Sequence, residues 1–228
     1  MVVDSDERPM RTQLWSGAIL GSIVHSLMVC QYPEISNEQS WDGINYSVQD
    51  NMGSRGTISF YGDDLVGVFF DENSPRNPFR SRLSYNLEEF FRGAPVKLRS
   101  LADEHALQYV LQEYQGAAMP VITAAFWNDG ERLVAAEQWQ QVIENGAHLV
   151  RIQLLSAEAA RAEWERHYEM SRAQVALARS IFERKMAAPE TTLELDNSVR
   201  DLLRANCKGA EGMNESRESF AEIGILLP

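Results

Sequence analysis

Histidine and cysteine, the side chains most often used for metal binding and nucleophilic chemistry, are scarce: four and two among 228 residues. No Gly-rich phosphate loop, HExxH, CxxC or GxSxG motif occurs, which removes the strongest local signatures of nucleotide, zinc, redox and hydrolase chemistry. Basic residues are also in deficit, 21 Lys and Arg against 33 Asp and Glu, giving a formal net charge of -12. Phosphate contacts need clustered Lys and Arg, so this balance argues against nucleic acid and against anionic lipid as partners. Internal repeats and low-complexity tracts are absent.

With 44% apolar and 24% charged residues, the chain has enough material for a core and lies outside the compositions of disorder. Its length predicts a single domain over residues 1–228. Cys30 and Cys207 are far apart and follow no metal spacing, which predicts two free thiols, Cys30 acting as a small hydrophobe in an apolar run.

That run, Leu14 to Cys30, is about long enough to span a bilayer. It is interrupted by Ser16, Ser22, Ser26, Gly17, Gly21 and His25. The residues before it, Asp4, Asp6, Glu7, Arg8 and Arg11, are net acidic where an export signal wants positive charge. Trp15, Ile19, Ile23 and Leu27 form one i, i+4 row with Ala18, Ser22 and Ser26 beside it. The expectation is a buried core helix in a cytoplasmic protein, with His25 as a packing residue and no membrane partner.

Between residues 44 and 71 the pattern has period two. Ile44, Tyr46 and Val48 alternate with polar residues, as do Ile58 and Phe60, and Val66, Val68 and Phe70 share a face. Turns at Asn51–Ser54 and Gly62–Asp64 separate the three segments, predicting an antiparallel meander. Val121, Ile122 and Thr123 favour a buried strand across Met119–Trp127. Ser100 with Asp103 resembles a helix start, and Leu149–Leu155 reads as another strand. Ala160, Trp164, Tyr168, Ser171, Val175, Ala178 and Phe182 mark one long helix over 156–187, a rod of roughly 47 Å. A last helix is expected from Thr191, then a polar linker over 209–219 and an apolar tail that docks. The fold class is therefore α+β, a small antiparallel sheet packed against several helices.

Glu163 and His167 share a helix face, but no second Glu-x-x-His unit accompanies them, so neither metal nor cofactor is expected. The acids of the meander, Asp42, Asp50, Asp63, Asp64, Asp71 and Glu72, mostly occupy turn positions, where Asp bonds the local backbone. Trp41-Asp42-Gly43-Ile44-Asn45-Tyr46 is the most distinctive hexapeptide: a structural corner, or a spot where Trp, Tyr and an acid anchor a partner.

Two functions follow. The first is a non-enzymatic module offering an acidic surface to a basic protein, with Trp41, Asp42, Tyr46, Asp63 and Asp64 as candidate contacts. In composition this resembles bacterial immunity proteins, which neutralise toxins. The alternative is an enzyme using meander carboxylates and a histidine.

Overall fold

A computed structural model describes residues 8–80 and 84–228. Asp4, Asp6 and Glu7, the acidic flank of the apolar run, lie outside these residues. In chain order the elements are α1 (Arg11–Val29), β1 (Gln39–Asp42), β2 (Asn45–Gln49), β3 (Arg55–Tyr61), β4 (Asp64–Phe70), α2 (Val96–Leu101), β5 (Leu111–Tyr114), β6 (Ala117–Pro120), β7 (Ala124–Asp129) and β8 (Arg132–Val134). There follow α3 (Trp139–Glu144), α4 (Ala157–His167), α5 (Arg172–Ala187), β9 (Leu193–Glu194), α6 (Asn197–Arg204), α7 (Gly209–Glu222) and β10 (Ile225–Leu226). The class is α+β. The chain gathers into two compact units, one from Met1–Thr12 and Ile44–Arg151, the other from Gln13–Gly43 and Ile152–Pro228. No Pro- or Ser-rich linker marks the crossings, so composition gave no sign of the division.

In the first unit the strands run β2-β3-β4-β7-β8, antiparallel throughout. The expected meander is present, and β4 is buried on both faces. Gly56 lies opposite Phe69 and Gly67 opposite Phe126, and a Cβ there would come within 2.1 and 2.6 Å of the respective rings. Each ring thus lies across a bare backbone on the next strand. Val66, Val68 and Phe70 form a core with Leu98, Leu101, Leu107, Val110, Val121, Ile122 and Trp127.

Three expectations are corrected here. The Met119–Trp127 run is split between β6 and β7, because Thr123 turns its hydroxyl inward, donating to the Asn145 carbonyl at 2.6 Å and accepting from the Asp71 N–H at 2.8 Å. Ser100 caps nothing: α2 starts after Pro95 and continues through wider and tighter helical turns to Val110. Leu149–Leu155, read as a strand, is not one: its first two residues end the helical turn Ala147–Val150, and the rest continues in turns, the N–H of Arg151 bonding the His148 carbonyl and that of Leu155 the Ile152 carbonyl.

In the second unit α1 is buried from Gly17 to Val29, as the interrupted apolar run suggested. No described helix is long and apolar enough to cross a membrane. A Cβ on Gly17 would sit 1.9 Å from the Gln153 carbonyl oxygen, so this residue must be glycine for the helix to approach so closely. Ile19, Ile23 and Leu27 pack with Trp164, Ile181, Leu203 and Phe220.

The predicted rod is two helices. α4 ends at His167, Glu169 takes a left-handed conformation with φ of 50°, and Ser171 caps α5. Ser171 Oγ accepts from the Gln174 N–H while Gln174 Oε1 accepts from the Ser171 N–H at 2.8 Å, a reciprocal box that starts a new helix where the stripe was weakest. α6 begins at Asp196, which caps the N–H groups of Ser198 and Val199, not at Thr191. The stretch expected to be a polar linker is α7; it buries Gly212, Met213, Ser216 and Phe220, a face with only two large apolar side chains and hence invisible to composition. The tail docks as expected, β10 pairing parallel with β9.

The free-thiol expectation is overturned as well. Cys30, at the end of α1, and Cys207, between α6 and α7, form a disulfide with Cα atoms 4.6 Å apart. The N–H of Lys208 donates to the Cys30 carbonyl at 2.8 Å, which fixes the two segments side by side. Nothing in their spacing encodes this, since only the packing of the helices around the end of α1 brings them together.

Candidate functional site

Like charges are brought together where β1 meets the end of α7, in the second unit. β1 follows a short helical turn, Pro33–Glu38, and carries Trp41 and Asp42. The Trp41 indole N–H donates to Ser22 Oγ at 2.8 Å, and Ser22 donates on to the Ala18 carbonyl at 2.9 Å, a local bond within α1. The ring is half-buried against the core of this unit, the geometry of a structural corner. Its own backbone N–H donates to Glu222 Oε2 at 2.8 Å.

α7 supplies the rest. Glu211, Glu215, Glu218 and Glu222 succeed one another at steps of four, three and four, which places them along one side of the helix. Burial pushes the Glu222 carboxyl up, and the like charges of Glu218 and Asp42 push it further, while the Trp41 N–H opposes them. Glu222 is also the last residue of α7, where the helix presents carbonyls and disfavours negative charge, and no basic residue stands in that turn. Asp42 and Glu218 are exposed. Glu222 is exposed as well. Two rules that stabilise a fold are broken at one place: acids repel, and one of them ends a helix. Local violations of this kind are expected where function sets the sequence.

The remaining sequence candidates lie in the first unit. Tyr46 is fully buried, facing the core from β2 opposite Ile58, so the contact role expected for it is corrected: no surface of it meets solvent. Alternation put it on the apolar face, and that signal was the better guide. Asp63, fully exposed, pairs with Arg11 at 3.4 Å, and Asp64 pairs with Lys97, so both already have cations. The other meander acids do turn work: Asp50 accepts from the N–H groups of Met52 and Ser54, and Asp71 from Asn73 N–H and Ser54 Oγ. Glu72 pairs with Arg80.

Among the histidines, His25 is buried, with Nε2 3.4 Å from the Ser36 carbonyl, and burial pushes it down to about 4. His105 stacks on Tyr61, and His167 packs edge-on against Trp164 and Tyr168 while Glu163 pairs with Arg166. No group of three or more His, Cys, Asp or Glu that could hold a metal occurs among the described residues. Glu211, Glu215 and Glu218 fall in the segment that composition marks as a linker and Glu222 in the apolar tail; their four-three-four spacing was the signal available.

No family model, no curated protein and no solved structure matches the chain. Its function has to be argued from its own chemistry.

Proposed function

We propose that the protein is a non-enzymatic binding module that presents an acidic face to a basic protein partner, in the manner of an immunity-type protein neutralising its target. The observation that carries this reading is the crowding of Asp42, Glu218 and Glu222 around the anchored Trp41, with the Glu222 carboxyl held above its ordinary range. A cation arriving there would relieve repulsion that the free protein bears, so partner charge and local strain are complementary. Trp41 adds an aromatic edge, its position fixed by Ser22, of the kind that anchors interfaces. The net charge of -12 extends the attraction beyond the contact itself.

The test is to capture the partner from the source cell at low salt, identify it, and measure its association with purified protein. Association should slow steeply as salt rises, because exposed charges are screened over about 8 Å at physiological ionic strength. The triple variant Asp42→Asn, Glu218→Gln, Glu222→Gln should bind more slowly at low salt and lose most of the salt dependence. Asp63→Asn with Asp64→Asn should have a smaller effect, since Arg11 and Lys97 already offset those charges. Equal binding at low and high salt by the wild type and the triple variant would sink the proposal.

A further inference from the structure

We propose that the Cys30–Cys207 disulfide is an exchange site for a carboxylate-bearing low-molecular-weight thiol, which docks between Arg204 and Arg217 and attacks the sulfur of Cys207. The two halves of the bond differ in access. Cys30 is 1% exposed inside the core of its unit, whereas Cys207 is half-buried and lines a cavity of about 450 Å³. Arg204, Gly209, Ala210, Met213, Asn214 and Arg217 complete the lining. That volume falls in the range that holds small molecules.

The charge of this cavity is the reverse of the chain's. Both charged lining residues are arginines, and no carboxylate lines it, although Glu211 and Glu215 stand on the same helix. Arg217 Nη1 donates to Asn214 Oδ1 at 3.3 Å, and Arg204 has no ion pair among the described residues. Two exposed guanidinium groups beside a sulfur bind carboxylates through fork-like hydrogen bonds, and they also stabilise the Cys207 thiolate released in the second exchange. A thiol without carboxylates gains nothing from them.

The chemistry balances as two exchanges. A thiolate RS⁻ forms a bond to Cys207 Sγ; the protein S–S bond breaks, and its electron pair leaves on Cys30 Sγ, which takes a proton because an apolar site disfavours the thiolate. A second RS⁻ then attacks the outer sulfur of the mixed disulfide, releasing RSSR and the Cys207 thiolate. Two thiols are oxidised and one protein disulfide is reduced. The bond from Lys208 N–H to the Cys30 carbonyl keeps the sulfurs adjacent, so reclosure is intramolecular and fast. In a cytoplasmic setting disulfides are transient and redox-sensing, which is the behaviour such an exchange site produces.

The experiment uses the full oxidised chain, its disulfide confirmed by intact mass without reductant. It is incubated with glutathione, which carries carboxylates, or with cysteamine, which carries an amine. Adducts are mapped by mass spectrometry, and each rate is divided by that thiol's rate with a small reference disulfide. The expected result is an adduct on Cys207 and a normalised preference for glutathione of about tenfold at low salt. Arg204→Gln with Arg217→Gln, both surface changes, should abolish the preference while leaving the cysteamine rate unaltered or raised. Adducts on Cys30, equal normalised rates, an unchanged preference in the double variant, or free thiols in the oxidised preparation would each overturn the proposal.

Discussion

Asn128 Oδ1 accepts the backbone N–H of Leu65 at 2.7 Å, and the same amide donates to the carbonyls of Asp63 and Gly130, both at 2.9 Å. One buried side chain therefore closes the β3–β4 and β7–β8 turns together. Asn128→Ala strands a buried donor and two acceptors, and should cost about 2–3 kcal/mol. Asn128→Asp should cost at least as much, because its second oxygen faces two carbonyls. Urea unfolding measures both, and a loss under about 0.5 kcal/mol for either would show that the turns close without this amide.

Trp164 is 6% exposed and stacks on Tyr168 with ring centroids 5.7 Å apart. Trp164→Ala should lose roughly 3–5 kcal/mol, the usual cost of emptying a buried aromatic site. A loss below about 1 kcal/mol would mean that α4 contributes little to its unit.

His25 gives the stability a pH dependence with a defined window. Burial lowers its folded-state value from 6.5 to about 4, so the unfolded chain takes up a proton near pH 6.5 and the folded one only near pH 4. Stability is therefore full above 6.5 and falls as the pH drops through this interval, by about 3 kcal/mol in all. His25→Gln cannot titrate. Urea midpoints at pH 7, 5.5 and 4.5 should fall more steeply for the wild type than for this variant, and parallel lines would refute the assignment.

Glu222 runs the other way. Its carboxyl is raised above the unfolded value, so the repulsion is absent at acid pH and grows as the pH rises through the folded-state value. Glu222→Gln keeps an acceptor for the Trp41 N–H and removes the charge. The variant should melt higher than the wild type at pH 7 and match it at pH 3, while binding its partner more slowly. A residue kept only for folding would show the opposite at pH 7.

Ser171→Ala should cost about 1 kcal/mol by removing the cap of α5. Glu169→Gly, at a φ of 50°, should recover about half of that by relieving a left-handed backbone. If the double variant were a single uninterrupted helix by amide exchange, the break would depend on the cap alone.

The meander, the buried α1, Trp164 and His25 were all legible because each rests on periodicity or on the environment of one residue. The break after His167 was also legible in principle, since Ser171 and Gln174 have capping-box spacing inside a stripe that Ser171 already weakened. α7 was not, because its buried face uses Gly212 and Ser216 as contact residues, and small side chains carry no hydropathy signal. The disulfide and the division into two units depend on contacts between residues distant in sequence, and periodicity says nothing about those. Within the hexapeptide, Trp41 and Asp42 lie beside Glu222, whereas the alternation that marked Tyr46 as apolar outweighed its chemistry as a contact residue.

The unit that holds α1 draws its other helices from residue 152 onward, and the intervening segment builds the other unit. On a ribosome making about 5–20 residues each second, α1 therefore emerges several seconds before any helix that covers it. During that time a largely apolar run is without the helices that bury it, while the residues of the Ile44–Arg151 sheet are already all present. Synthesis thus completes the middle of the chain before the ends have met their partners.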